Sequence, residues 1–295
     1  MNSRALALVF AFSATLIYGV SFTVAKEVMP QYVQPFGFIF LRVSGATLLF
    51  WTVGLFSRKE RIAISDYPRL LLGAIFGIAL NQLMFFKGLS MTTPISASVI
   101  MVSSPILVLS FSAIILRERV TKRKLSGIFI GMIGAVFLIV FGKEIGSSSN
   151  ATLGNLLVFV NATSYSLYLI LIKSLTRKYE PITLAKWLYL LGLFMVIPFG
   201  IQEFNLIQWQ GMPQGILWRI GFIIVFTSFL TYLLNLFAIR KLLPTTLSIF
   251  IYLQPVIATS YALLTGSDSL NLIKLLSTLL IFTGVFLVTH KPKPT

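Results

Sequence analysis

The sequence has no cysteine, one histidine (His290) and only eight acidic residues among 295. Without cysteine there are no disulfides, no thiolate metal sites and no thiol chemistry. Serine–histidine hydrolases, aspartate-dependent intramembrane enzymes and histidine-rich metal motifs need residues that the apolar segments lack. The chain is therefore not expected to be an enzyme or to hold a metal or a cofactor.

Apolar residues take the place of the missing charge. They form 57% of the chain against 11% charged residues, with a mean hydropathy of +0.91, whereas a soluble domain carries about 25% charge. A chain this apolar must be solvated by a lipid bilayer, and about 20 apolar residues suffice to cross one. Ten candidate spans follow: 4–26, 35–56, 68–90, 94–116, 123–142, 152–174, 181–201, 216–238, 243–265 and 271–290. The sequence predicts an all-α membrane protein with ten transmembrane helices.

The net charge of +16 does not indicate a nucleic-acid partner, because the basic residues form short clusters between the apolar runs. Ten spans place both termini on one side of the membrane. Most of the 24 Lys and Arg residues then fall on the side of the termini, and cytoplasmic loops retain positive charge. We predict a multi-pass protein of the cell (inner, cytoplasmic) membrane with both termini in the cytoplasm.

A proline pair occurs twice in the chain. Pro94 and Pro105 have the same spacing as Pro244 and Pro255, and the two pairs lie 150 residues apart. This register predicts two five-helix repeats, residues 1–146 and 147–295. Because five is odd, the second repeat enters the membrane from the opposite side, and inverted repeats place a binding site near the midplane.

Several motifs resemble one transporter family. Tyr18 to Lys26 is similar to its first-helix signature, and Pro35 followed by Arg42 matches its second helix. The run from Lys87 through Pro105 to Glu118 resembles its third and fourth helices, and residues 232–238 and 252–256 resemble the equivalent part of a second half. The chain thus resembles the EamA-type transporters of the drug/metabolite transporter superfamily. It departs from them at Tyr18, where that family has Trp, and at Asp268, where it has Glu.

The resemblance implies a central cavity between the two halves, lined by helices 1, 3, 4, 6, 8 and 9, and the movement of small metabolites. Polar side chains on these helices must face protein or a wet cavity, because lipid offers them no partner. The alternative role for each is a hydrogen bond between helices. The candidate substrate-binding residues are Tyr18, Ser21, Asn81, Gln82, Ser98, Ser104, Tyr165, Tyr168, Tyr232, Asn235, Tyr252 and Gln254.

Three further residues within spans have two possible roles. Pro105 and Pro255 each remove a backbone donor and are predicted to be hinges; the alternative is a static kink whose freed carbonyl is satisfied by nearby serines. Arg42 is a charge at depth, which is costly in a membrane. It is either a charge of the cavity or gate, or half of a structural pair, for which Glu27 is the candidate partner.

These features favour a secondary transporter, an exporter or facilitator, that works by alternating access. Neutral polar residues and tyrosines on the cavity helices favour amino acids or related neutral or zwitterionic solutes. All eight acids lie at span ends or in connections, so a tight proton relay is not expected. A channel or a membrane scaffold is the alternative. The substrate, the direction of transport and the coupling ion stay open. So does the oligomeric state, for which a monomer is one of the alternatives.

Overall fold

The structure is a computed structural model that describes residues 3–91, 97, 100–141, 151–264 and 272–289. These residues form ten helices, each at the place of a predicted span. They are α1 (Ser3–Val28), α2 (Pro35–Leu55), α3 (Ile64–Met91), α4 (Ser104–Ile115), α5 (Lys122–Phe141), α6 (Ala151–Leu175), α7 (Pro181–Asn205), α8 (Gln214–Lys241), α9 (Pro244–Ser248, Ile249–Tyr252 and Leu253–Leu264) and α10 (Leu272–Thr289). The predicted all-helical fold is confirmed.

The outer surface of the bundle is apolar. Within the described part of the chain, α1, α2, α3, α6, α7 and α8 are long and apolar enough to cross a membrane, and α4, α9 and α10 include shorter apolar helices. Large apolar side chains on these helices are exposed, for example Leu48 at 69%, Phe194 at 63% and Trp218 at 73%. A water-soluble monomer rarely exposes apolar surface on this scale, so these side chains contact lipid.

Equivalent helices of the two halves make equivalent contacts. α1 packs on α8 as α6 packs on α3, and α1 contacts α9 as α6 contacts α4. The helix pairs α2–α7 and α5–α10 each join one half to the other. This is the contact pattern of two five-helix repeats related by an inverting pseudo-twofold axis. The predicted boundary at residue 146 falls in 142–150, outside the described residues.

Both repeats have irregular helical geometry at equivalent depth. α3 widens to π geometry at Ile75–Ala79 and α8 does so at Ile223–Leu230. α4 begins only after a turn at residues 102–103, and α9 contains a 3-10 turn at Ile249–Tyr252. The helix breaks in α4 and α9 precede Pro105 and Pro255, which cannot donate a backbone hydrogen bond to the preceding turn. The π segments contain no proline, and no pattern in the sequence predicts them.

A serine beside Pro105 bonds to the backbone of the preceding turn. Ser103 Oγ donates to the carbonyl of Ile100 at 2.7 Å, which also accepts from the backbone N–H of Ser103. The carbonyl that Pro105 leaves without its helical donor is that of Met101, four residues earlier. Pro105 is buried, and Pro255 lies in the first turn of Leu253–Leu264. The hinge role of the two prolines stays a prediction.

One face of the bundle is closed by contacts between the repeats. This basic face comprises the connections 56–63, 116–121, 176–180 and 242–243, with the helix ends beside them. Asp66 accepts hydrogen bonds from Lys178 Nζ and Tyr179 Oη, both at 2.8 Å. Glu118 accepts from Lys124 Nζ at 2.5 Å and from the hydroxyl of Thr245, in the first turn of α9. Each of these acids therefore ties a connection of the first repeat to the second repeat.

The α5–α10 pair is a glycine contact between backbones. A Cβ atom at Gly284 would lie 2.6 Å from the carbonyl oxygen of Gly127, and one at Gly134 would lie 2.8 Å from the carbonyl oxygen of Ser277. Small residues let membrane helices approach until their backbones touch. This close packing is why α5 and α10 are the most extensively paired helices of the structure.

We expect Gly284→Ala to lower the stability of the folded protein, because the added methyl group meets backbone atoms that cannot rotate away. Overpacking of this kind costs about 1–3 kcal/mol. The matched control is Gly221→Ala in α8, where an added Cβ meets no atom within 4 Å, and where alanine favours the helix by about 0.5–1 kcal/mol. Unfolding midpoints in detergent measure both; equal midpoints for the two variants would refute the tight contact.

Candidate functional site

A cavity lies between the two repeats, surrounded by α1, α3, α6, α8 and α9, with Arg42 from α2, Tyr189 from α7 and Met101 from the turn before α4. The cavity has a volume of about 180 Å³. Nine of the predicted binding residues line it: Tyr18, Ser21, Asn81, Gln82, Tyr165, Tyr168, Tyr232, Asn235 and Gln254. Arg42 also lines it. The structure thus brings together residues that are as much as 236 positions apart in the chain (Tyr18 and Gln254).

The remaining predicted residues are elsewhere. Ser104 and Tyr252 are fully buried but do not belong to the cavity wall. The carbonyl of Ser104 accepts from Ser166 Oγ, and the Tyr252 ring packs where Gly131 leaves room for it. Both therefore serve the packing of α4 and α9 against neighbouring helices, a role that polarity alone does not distinguish from cavity lining. Ser98 lies outside the described residues.

The cavity wall also contains polar residues that the prediction omitted. Thr15 lies one turn before Tyr18 and Thr227 lies two turns before Asn235, so helical periodicity applied to the predicted positions would have found both. Tyr189 is on α7, which was not expected to contribute. The sequence contains no signal that would have placed Tyr189 in the wall.

Arg42 is held by neutral groups. Its Nε donates to Ser228 Oγ at 3.1 Å, and its guanidinium carbon lies 5.8 Å from the ring centroid of Phe38 and 5.0 Å from that of Phe86. Cation–π contacts of this kind partly replace the hydration of a guanidinium. The candidate pairing with Glu27 is wrong, since Glu27 forms an ion pair with Arg219 of α8 instead.

The π segment of α8 organises three neighbouring helices. Ser228 Oγ donates to the carbonyl of Ile223, five residues earlier, at 3.0 Å. Tyr189 Oη of α7 donates to the carbonyl of Ser228 at 2.9 Å, and the hydroxyl oxygens of Ser21 and Thr227 lie 2.6 Å apart in a hydrogen bond. The wider turn thus places α8 groups within reach of α1, α2 and α7. π segments are frequent at functional sites.

The π segment of α3 is bonded in a similar way by α6. Ser164 Oγ donates to the carbonyl of Phe76 at 2.7 Å, and Asn161 Nδ2 donates to the carbonyl of Asn81 at 2.7 Å. Both bonds cross from the second repeat to the first. They fix the depth at which Asn81 and Gln82 meet the cavity.

Tyrosine rings form a continuous layer on one side of the cavity. The ring centroids of Tyr165 and Tyr168 are 6.4 Å apart, those of Tyr168 and Tyr232 are 5.7 Å apart, and those of Tyr232 and Tyr189 are 4.8 Å apart. Gly77 makes room for this layer, because a Cβ there would lie 2.4 Å from the Tyr168 ring. The layer presents apolar ring surface, with hydroxyl groups as its polar component.

Charge is scarce at the cavity. Among the described residues, Arg42 is the one charged side chain in the wall, and no Asp or Glu lines it. The same part of the chain contains no group of three or more His, Cys, Asp or Glu side chains that could hold a metal ion. The site can therefore offer hydrogen bonds, aromatic surface and one positive charge to a solute.

The geometry of the wall is testable because the chain contains no cysteine of its own. We expect Gln254→Cys, in the cavity wall, to react rapidly with a small charged methanethiosulfonate reagent in detergent solution. Ser104→Cys is the matched control and should react far more slowly, because Ser104 is fully buried outside the wall. Mass spectrometry over a time course measures both rates; similar rates would contradict the described cavity.

Comparisons with known proteins agree with this architecture. The model of the EamA-like transporter family matches residues 5–140 and again residues 152–290. An uncharacterised transporter of Archaeoglobus fulgidus is 29% identical over 96% of this chain and 98% of its own. The S-adenosylmethionine/S-adenosylhomocysteine transporter of Chlamydia trachomatis is 26% identical over 90% of this chain and 83% of its own. A crystal structure with 17% identity superposes with a TM-score of 0.78 over 96% of both chains, which shows a shared fold.

Two matches of one family model cover nearly the whole chain, one on each five-helix half of the bundle. The duplicated fold and the family match together exclude an enzyme as the identity of the chain and establish a multi-pass membrane protein that acts on small molecules. The chain belongs to the EamA-like transporter family of the drug/metabolite transporter superfamily, and it is a secondary transporter.

Proposed function

We propose that this transporter carries amino acids or related neutral or zwitterionic solutes, by alternating access around the cavity between its repeats. The observation that carries the proposal is the composition of the cavity wall. It combines uncharged amides, hydroxyls and tyrosine rings with one positive charge, and it has no carboxylate among the described residues. Such a wall has little to offer a solute that is only cationic.

Buried polar atoms in the wall residues support a polar solute. Gln82 Oε1 and Asn161 Oδ1 are buried and have no hydrogen-bond partner among the described residues. A buried polar atom without a partner costs about 1–3 kcal/mol. Because Asn161 Nδ2 is engaged by the carbonyl of Asn81, its Oδ1 is left to accept from a donor in the cavity. Water or a substrate ammonium group would satisfy these atoms after small side-chain movements.

The unequal closure of the two faces supports alternating access. Glu118 and Asp66 tie the repeats together at the basic face, whereas the cavity wall extends to Met29 and Leu89, at the ends of α1 and α3 on the opposite face. A passage closed at one end fits one state of a carrier better than an open channel. We place the basic face in the cytoplasm, so the cavity in this state would open to the outside of the cell. An exporter or a facilitator adopts such a state when it releases its solute outside.

The chlamydial relatives agree with this choice of solute. Those proteins are named for S-adenosylmethionine and S-adenosylhomocysteine, both of which contain the carboxylate and ammonium groups of an amino acid. We propose that the solute of this chain shares that amino-acid moiety. We also propose facilitated flow or exchange rather than a proton relay, because no described Asp, Glu or His lines the cavity and proton relays in membranes use such side chains.

Counterflow in proteoliposomes tests the proposal. We expect liposomes loaded with an unlabelled amino acid to accumulate the same radiolabelled amino acid transiently and saturably, for at least one member of a panel of twenty. Asn235→Leu, which removes a polar group from the wall, should abolish this signal. Thr283→Val on the exposed face of α10 should retain it, because the hydrogen bond that the Thr283 side chain makes to described residues is to Leu279 of its own helix. An ohmic current would indicate a channel, and neither signal would indicate a scaffold.

The paired prolines test the mechanism. If Pro105 and Pro255 permit α4 and α9 to bend between states, Pro105→Ala and Pro255→Ala should each reduce the transport rate much more than they reduce the amount of folded protein. Pro198→Ala is the matched control, since Pro198 lies inside α7 and is exposed away from the cavity. Full transport by both hinge variants would leave the two prolines as ordinary kinks.

A further inference from the structure

Arg42 lacks the partner that a buried charge in a membrane normally has. It is 8% exposed, lies within α2 and lines the cavity. A charged side chain at such a depth is costly and is usually paired. Among the described residues, no Asp or Glu oxygen lies within 4.0 Å of its nitrogens.

The described acids have other partners or positions. Glu27 pairs with Arg219, and Glu203 accepts from the backbone nitrogens of Phe36 and Gly37 at the start of α2, at 2.7 and 2.9 Å. The other described acids, Glu60, Asp66, Glu118 and Glu180, all belong to the basic face. None of these carboxylates is available to neutralise Arg42 without breaking a contact that it already makes.

The contacts of the Arg42 guanidinium leave its two terminal nitrogens available. Ser228 occupies its Nε, and the rings of Phe38 and Phe86 lie near its carbon. Those two rings also contact each other, with centroids 6.0 Å apart in an edge-to-face arrangement, so the support is itself packed. With Nε engaged, the terminal nitrogens are the donors that remain. Their planar geometry matches the two oxygens of a carboxylate.

We infer that Arg42 binds the carboxylate of the substrate, and that a free carboxylate is what the site requires of a solute. This inference rests on the proposed function and narrows it. The amino group and the side chain of the solute then lie against the amides and the tyrosine layer of the wall. An apolar side chain suits this wall, because Phe85, Phe86 and Phe250 line it beside the tyrosines. Amines and amides without a carboxylate leave Arg42 unpaired and are rejected.

Four probes of nearly equal shape separate the two charged groups of an amino acid. Leucine carries both, 4-methylpentanoate carries only the carboxylate, 3-methylbutylamine carries only the ammonium group, and leucinamide replaces the carboxylate by an amide. The measurement is the rise in the unfolding midpoint of the purified protein in detergent, since a ligand that binds the folded state raises it. We expect leucine and 4-methylpentanoate to raise the midpoint, and leucinamide and 3-methylbutylamine to leave it unchanged at the same concentration.

Variants assign the effect to the guanidinium. In Arg42→Gln, the concentration of leucine needed for half of the shift should rise about 10- to 100-fold, which is what loss of a charged hydrogen-bond pair costs. Arg42→Lys, which keeps the charge but not the fork, should be intermediate. Lys186→Gln is the matched control: Lys186 lies over the ring of Trp51 in the α2–α7 pair, outside the cavity wall. It should behave as the unmodified protein does.

The outcomes separate this inference from the proposed function. If leucinamide or 3-methylbutylamine acts as well as leucine, the carboxylate requirement is wrong and amino-acid transport stands. If 4-methylpentanoate acts through Arg42 and leucine does not, the role of Arg42 stands and the zwitterion proposal fails. A leucine shift that survives Arg42→Gln, or no shift with any probe, overturns the inference. If Arg42→Gln does not fold, the four probes on the unmodified protein decide.

Discussion

Every backbone carbonyl inside a lipid bilayer needs a hydrogen-bond donor from the protein, and the centre of this fold depends on that constraint. The helices are irregular just where the cavity forms, so regular backbone bonding is interrupted there. Side chains supply donors at these irregular turns: Ser228 to Ile223, Thr231 to Phe226, Ser164 to Phe76 and Ser103 to Ile100. The polar residues of the spans therefore perform two tasks, since some complete broken helices and others face the cavity.

Two buried cations show how differently a charge can be accommodated. Lys173 of α6 is 5% exposed, and its Nζ donates to the carbonyls of Ile239, Arg240 and Leu242 at 2.5, 3.3 and 2.7 Å. It thus occupies the negative end of the α8 dipole, where a cation is favoured, and its three donors are used. Arg42 has one described hydrogen bond and two aromatic rings. Both looked alike as basic residues in an apolar sequence, but only Lys173 is saturated by the protein.

The sequence was sufficient for the features that depend on composition and on repetition. Hydropathy located the ten helices, and the spacing of Pro105 and Pro255 located the equivalent breaks in α4 and α9. It was insufficient where the result depends on the rotation of a helix about its own axis. Ser104 and Tyr252 differ from Ser21 and Tyr232 in the direction they face, not in chemistry. Likewise, Glu27 meets Arg219 rather than Arg42 because α1 packs on α8, a long-range neighbour that local spacing cannot specify.

The glycine contact of α5 and α10 makes the two halves of the chain depend on each other. Gly127 and Gly131 belong to one repeat and Gly284 to the other, and they meet with no side chain between them. A half without its partner would expose this stripe of backbone to lipid. Lipid chains would fill the groove along the glycines less well than the partner helix does. Each half of the chain therefore needs the other half to cover its glycine stripe.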